Sequence, residues 1–272
     1  MKPEIKRHNY IHLGLQTTFL YLTFNFLRTL LHELGHGIAA ICEGLEFKGF
    51  YAAVFGSSEA WINGARSPFQ SVVISSAGPL VDLIIGLVIL FIIFPHLKKW
   101  SSLLPWLLLA SSTLISFWSL MMSTGFGSGD FANVAYSLGI PKFIFGVLGI
   151  TGLIVFLFLL IKRMLFIASD YFTFNKFGQR FIIIFLFLGL PMLVYVTGFA
   201  FLTSKYEILG QAIFVIGLLI LITGFNNSSS KKSVYLPSFP TYTGITAFIV
   251  SCLIWLILFG PTLQKAKGFF FN

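Results

Sequence analysis

Charge is what this sequence has least of: Asp, Glu, Lys and Arg make up 10% of its 272 residues. Soluble domains run near a quarter charged, so this chain cannot cover a water-facing surface, and a soluble globular enzyme is excluded. Cysteine is almost absent. Cys42 and Cys252 are too far apart to form a CxxC pair, which excludes a disulfide framework and a thiolate metal cluster. A basic patch is missing too. The net charge is +9, but Lys and Arg are scattered through short connections between apolar runs, so nucleic acid is not an expected partner. Nor is there a cleavable leader to expect. Lys2, Lys6 and Arg7 precede an apolar stretch far longer than a signal-peptide core, with no small-residue cleavage site.

Apolar residues fill the space these absences leave. They make up 57% of the chain, and runs of about 20 recur, each long enough to cross a bilayer. Seven apolar segments are predicted: 11–44, 69–94, 102–122, 143–162, 179–203, 207–225 and 243–263. The first would reach about 50 Å as one straight helix, so part of it tilts or protrudes from the bilayer. Residues 46–64, rich in aromatic and β-forming side chains around a Gly-Ser-Ser turn, predict a hairpin. The expected fold is therefore an all-α polytopic membrane protein of about six to seven transmembrane helices, with a small membrane-associated β-hairpin after the first. Residues 1–142 are expected to form a three-helix core with the hairpin, and 143–272 to add further helices. The chain is expected to be an integral, multi-pass protein of a cell membrane.

With nine acidic residues and five histidines, the groups able to do chemistry are few. His32, Glu33 and His36 form HELGH, an HExxH motif. Histidines four apart lie one above the other on a helix and reach one Zn²⁺, while the adjacent Glu takes a proton from the attacking water. Thr18, Tyr21, Asn25, Arg28, His32 and His36 follow spacings of three and four, a polar stripe suited to a bundle interior. Ionisable groups in apolar spans are costly and usually functional.

Zinc needs a third protein ligand, and several residues compete for that role. Asp130 lies on the same predicted membrane side as HELGH and follows glycines at 125, 127 and 129 that let the backbone bend, although an Asp after Gly also serves as a plain helix cap. Glu59 has a sequence distance known among zinc peptidases but sits in an expected hairpin. Cys42 is turned away from the two histidines and is read as a small buried residue. Asp82 either touches substrate or metal, or only hydrogen-bonds a helix break at Gly78-Pro79.

These residues resemble the site-2 protease family of intramembrane zinc metalloproteases. HELGH in a membrane helix matches the family's zinc motif. Ser75-Ser-Ala-Gly-Pro-Leu-Val-Asp82 is similar to the Gly-Pro segment of its next core helix, and Asp130 to a metal-binding Asp after the following span. The resemblance spans residues 14–140, with no counterpart for the later segments. Asp82 stands where the family usually has Asn, and Asp130 lies in Ser-Gly-Asp-Phe rather than Leu-Asp-Gly. The resemblance implies a zinc endopeptidase that cuts membrane-anchored protein substrates within the bilayer. In that reading Zn²⁺ is held by His32, His36 and Asp130, Glu33 is the catalytic base, and Asp82, Ala52 and Val54 contact substrate. A zinc hydrolase acting on lipid or lipidated peptide, and a non-catalytic relative, are the alternatives. It also implies an active site open to the cytosol, whereas Lys and Arg favour a cytoplasmic N-terminus and so the opposite side for HELGH.

Overall fold

The computed structural model describes residues 7–52, 58–64, 66–97, 100–168 and 177–203, with short pieces at 217, 220, 223, 249–250, 253 and 269–270. A 36-residue helix, α1 (Arg7–Cys42), leads the chain. Its end is set by Gly44, whose φ of 76° lets the Leu45 N–H reach back to the Ala40 carbonyl at 2.9 Å. Strands β1 (Glu46–Tyr51) and β2 (Glu59–Asn63) then pair antiparallel, with an irregularity between Phe47 and Gly49. The predicted hairpin is present. A third short strand, β3 (Phe269–Phe270), pairs with Gly49 and Phe50 along the other edge of β1.

Helix α2 (Pro68–Val88) starts at a reciprocal cap. Ser67 accepts from the Gln70 N–H, Gln70 accepts from the Ser67 N–H, and Pro68 occupies the first turn, where its missing N–H costs nothing. The Gln70 amide also donates to the Glu43 carbonyl at 3.0 Å, pinning the start of α2 to the end of α1. A π turn (Ile89–Ile93) and a 3₁₀ turn (Phe94–His96) extend α2, and α3 (Trp100–Thr124) returns beside it. Next come the short α4 (Asp130–Leu138), α5 (Lys142–Ala168), α6 (Phe177–Ile184) and, after a second π turn, α7 (Leu190–Thr203).

Two kinds of packing hold the bundle. Where α3 meets α5, glycines bring the backbones close: a Cβ at Gly149 would overlap the Met122 backbone, and one at Gly152 the Trp118 ring. Small residues drive close helix packing where no water is present to expel. Elsewhere large side chains interlock, with Leu107 and Leu114 of α3, Leu153 and Leu157 of α5, and Ile184 of α6 in one buried cluster. Thr17 of α1 donates to the Leu186 carbonyl at 2.7 Å, serving a carbonyl of the second π turn.

Four stretches among the described residues are long and apolar enough to cross a membrane: Pro68–His96, Leu104–Thr124, Lys142–Leu165 and Phe177–Thr197. Five of the seven predicted segments are thus helical, and 207–225 and 243–263 lie almost wholly outside the described residues. Cys42 departs from expectation. It is exposed rather than buried. It continues the outward row of Leu27, Leu31 and Ile38 on α1, all of them exposed, and so lies on the face turned away from the bundle.

Candidate metal centre

The HELGH turn of α1 faces inward. His32, Glu33 and His36 are all buried, as are Asn25, Arg28 and Thr29 of the preceding turns. Helix α2 crosses this face closely, because Gly35 lets the Ala77 backbone approach: a Cβ there would stand 3.1 Å from the Ala77 carbonyl oxygen. Helix α4 brings the third group. Gly127 and Gly129, both at a φ of 85°, turn the chain back, and Asp130 opens the helix. Gly129 holds the capping position and no side chain caps the helix, so the Asp130 carboxylate is left to reach His32.

Three donor atoms converge. His32 Nε2 and His36 Nε2 are 3.2 Å apart, and Asp130 Oδ2 lies 3.1 Å from the first and 3.6 Å from the second. Ligands about 2.0–2.1 Å from a tetrahedral zinc ion stand roughly 3.3–3.4 Å from one another, so these separations suit such a site. The tautomers agree. His36 Nδ1 is 2.6 Å from the Ile74 carbonyl oxygen, and His32 Nδ1 is 2.9 Å from Asp82 Oδ2. A carbonyl and an ionised carboxylate only accept, so each Nδ1 carries the proton and each Nε2 a lone pair. Two lone pairs facing each other in a buried site repel unless a cation lies between them.

Glycine at position 78 keeps this space open. A Cβ there would overlap His36 Nε2 and come within 2.8 Å of His32 Nε2. Gly78→Ala is therefore expected to displace both imidazoles and to lower metal content at least tenfold. Gly178→Ala, where a Cβ meets nothing within 4 Å, should leave it unchanged. Metal analysis of the two purified variants provides the check, and full loading of Gly78→Ala would show that the rings move aside freely.

Other expected site residues are placed as follows. Glu33 is buried beside the histidines, on the side of Ser58 at the foot of β2. Glu59 opens β2 at the surface, paired with Tyr51, outside the His32–His36–Asp130 cluster. Ala52 is fully buried with Phe26 and Phe50 against Leu30 and Leu34 of α1, so it presents backbone rather than side chain. Val54 lies outside the described residues. Asp82 is wholly buried and touches His32 and Arg28. Sequence reasoning did not find the Ile74 carbonyl, Ser58 or the steric role of Gly78. None is a chemically marked residue, and only the Gly-Pro at 78–79 hinted at anything unusual there.

A family profile described as Peptidase M50B-like matches residues 10–192. That stretch takes in the segment at 143–162 and the first part of that at 179–203, which were expected to have no counterpart, while 207–225 and 243–263 lie beyond it. A protein of Synechocystis sp., provisionally named a zinc metalloprotease, is 33% identical over 75 residues, which is 28% of this chain and 19% of that protein. The aligned stretch thus spans about a fifth of the relative's length. No solved structure matches the chain significantly. With the profile covering well over half of its length, the chain belongs to the M50B-like peptidases, within the site-2 protease family that its motifs resemble.

Proposed function

We propose that this protein is an intramembrane zinc endopeptidase that hydrolyses peptide bonds in membrane-embedded protein segments. One observation carries the reading: two Nε2 atoms and one carboxylate oxygen converge at 3.1–3.6 Å, with the buried Glu33 carboxyl next to them. His32, His36 and Asp130 would hold the ion, and bound zinc supplies Lewis-acid polarisation of water and of the scissile carbonyl. Glu33 takes the proton from the attacking water and hands it to the leaving amine. The surrounding helices keep bulk water away, which strengthens each of these electrostatic interactions.

A peptide bond inside a helix is shielded, so the substrate unwinds locally and is held as an extended strand. The pairing of β1 with β3 supports this part of the reading, since it is an example of a short antiparallel strand lying along that edge. The test is reconstitution in vesicles with a single-span protein substrate. Cleavage inside the span, lost with a chelator and restored by zinc, is the expected result. Hydrolysis of lipid or lipidated peptide alone, with the protein substrate intact, would replace this reading with a lipid-directed zinc hydrolase.

A further inference from the structure

Behind His32, on the side of the ring away from the metal ligands, lies a charged pair that the proposed chemistry does not use. Asp82 Oδ2 is 2.9 Å from His32 Nδ1 and 3.0 Å from an Arg28 guanidinium nitrogen, and the Asp82 side chain is 0% exposed. The same Arg28 nitrogen also hydrogen-bonds Ser116 of α3, and the other terminal nitrogen donates to Thr29 at 2.8 Å. Three helices therefore meet at one guanidinium, and among the described residues its carboxylate contact is Asp82, the residue that bonds His32.

The position of Asp82 discriminates among its possible roles. Complete burial removes it from substrate contact. Its contact to His32 is through Nδ1, whereas the metal-facing atom is Nε2, so it is not a fourth ligand. The hydrogen bonds of its Oδ2 run to two side chains of α1 rather than to the backbone around Pro79, so it does not patch the helix break. A carboxylate on the far nitrogen of a metal-binding imidazole fixes its tautomer, stops the ring from turning and raises its basicity. A carboxylate buried this deeply also needs a polar or charged partner, because an unpaired buried polar group is costly.

The geometry points to Asp82 and Arg28 as a buried pair that positions His32 for metal binding: Asp82 orients the imidazole, and Arg28, braced by Ser116 and Thr29, holds Asp82 in register. This rests on the zinc reading of the site, and it assigns work to a pair that a purely structural ion pair would not perform. Removing the Asp82 charge should weaken zinc binding 10–100-fold, the usual effect of losing such an outer partner, while the bundle still forms.

Zinc affinity is read by chelator competition, and the ligand field by the visible spectrum of the cobalt-substituted protein. Asp82→Asn keeps the size of the side chain. It is expected to lose affinity in that range and to shift the cobalt spectrum. Arg28→Gln should act in the same direction, with Arg28→Lys recovering part of the loss. Thr17→Val, which removes the bond to Leu186 elsewhere on α1, should change neither readout. Because Arg28→Gln risks misfolding, the Arg28→Gln/Asp82→Asn double variant removes both charges together, and it should match Asp82→Asn rather than add to it. Wild-type zinc affinity and an unshifted cobalt spectrum in folded Asp82→Asn would overturn this inference alone. Wild-type protein that binds no zinc would overturn the metal reading, and this inference with it.

Discussion

Glu33→Gln is expected to retain zinc and lose turnover by at least ~10²–10⁴-fold, the range over which general acid–base catalysis contributes. The substitution keeps shape and removes only basicity. Glu33 is buried beside the two imidazoles, while the clustered donor atoms belong to His32, His36 and Asp130, so its loss leaves the ligand set whole. The amide cannot take a proton from water. Metal content and single-turnover cleavage, measured on one preparation, separate binding from chemistry. Zinc at full stoichiometry with undiminished turnover would remove Glu33 from the mechanism, and loss of zinc would mean that the carboxylate helps to hold the ion.

Asp130→Ala carries the next largest effect: the metal should be lost during purification. A tetrahedral site with two imidazoles and no carboxylate lacks both a ligand and the negative charge that offsets the ion. Loss of the carboxylate also leaves the two Nε2 lone pairs, 3.2 Å apart, with nothing to complete their set. Glu59→Ala is the matched control, since Glu59 sits at the sheet surface and outside the donor cluster. It should keep full zinc. A detergent melting curve on each variant separates ligand loss from unfolding. Folded Asp130→Ala that still holds stoichiometric zinc would show that another group completes the site.

Much of this centre was legible from residue spacing, because its two histidines lie on one helix and the 3.6-residue period alone brings them together. Asp130 was legible for a different reason: the Gly-rich stretch before it marked a bend, and parity put it on the HELGH side. Asp82 was not. Its depth on α2 could be counted, but whether it faced substrate, metal or another side chain depended on how α2 is rotated against α1. The contact at Gly35 and Ala77 fixes that rotation, and no single-helix pattern encodes it. Arg28 likewise read only as one member of a polar stripe, and the crossing of α2 named its partner. Cys42 was misjudged because hydrophobic character was equated with burial, whereas in a bilayer the apolar face of a helix is the outer one. The third strand was invisible for a related reason. It pairs residues more than two hundred positions apart, and local patterning carries no information about such pairing.

The same buried polar row has a consequence for how the protein is made. Helix α1 is the longest in the described chain, yet it is not among the four stretches apolar enough to cross a membrane, because Gln16, Asn25, Arg28, His32, Glu33 and His36 all lie along it. An Arg at mid-depth alone costs about 2.5–3.5 kcal/mol to insert. As α1 leaves the ribosome, the carboxylate that pairs with this Arg, Asp82, and the hydroxyl that accepts from it, Ser116, are still dozens of residues from being synthesised. Among the long helices of the described residues, α1 is therefore the least suited by composition to enter the bilayer unaided. The burial of its polar row is complete only once α2 and α3 supply Asp82 and Ser116, so assembly of the bundle passes through the contact between Arg28 and Asp82.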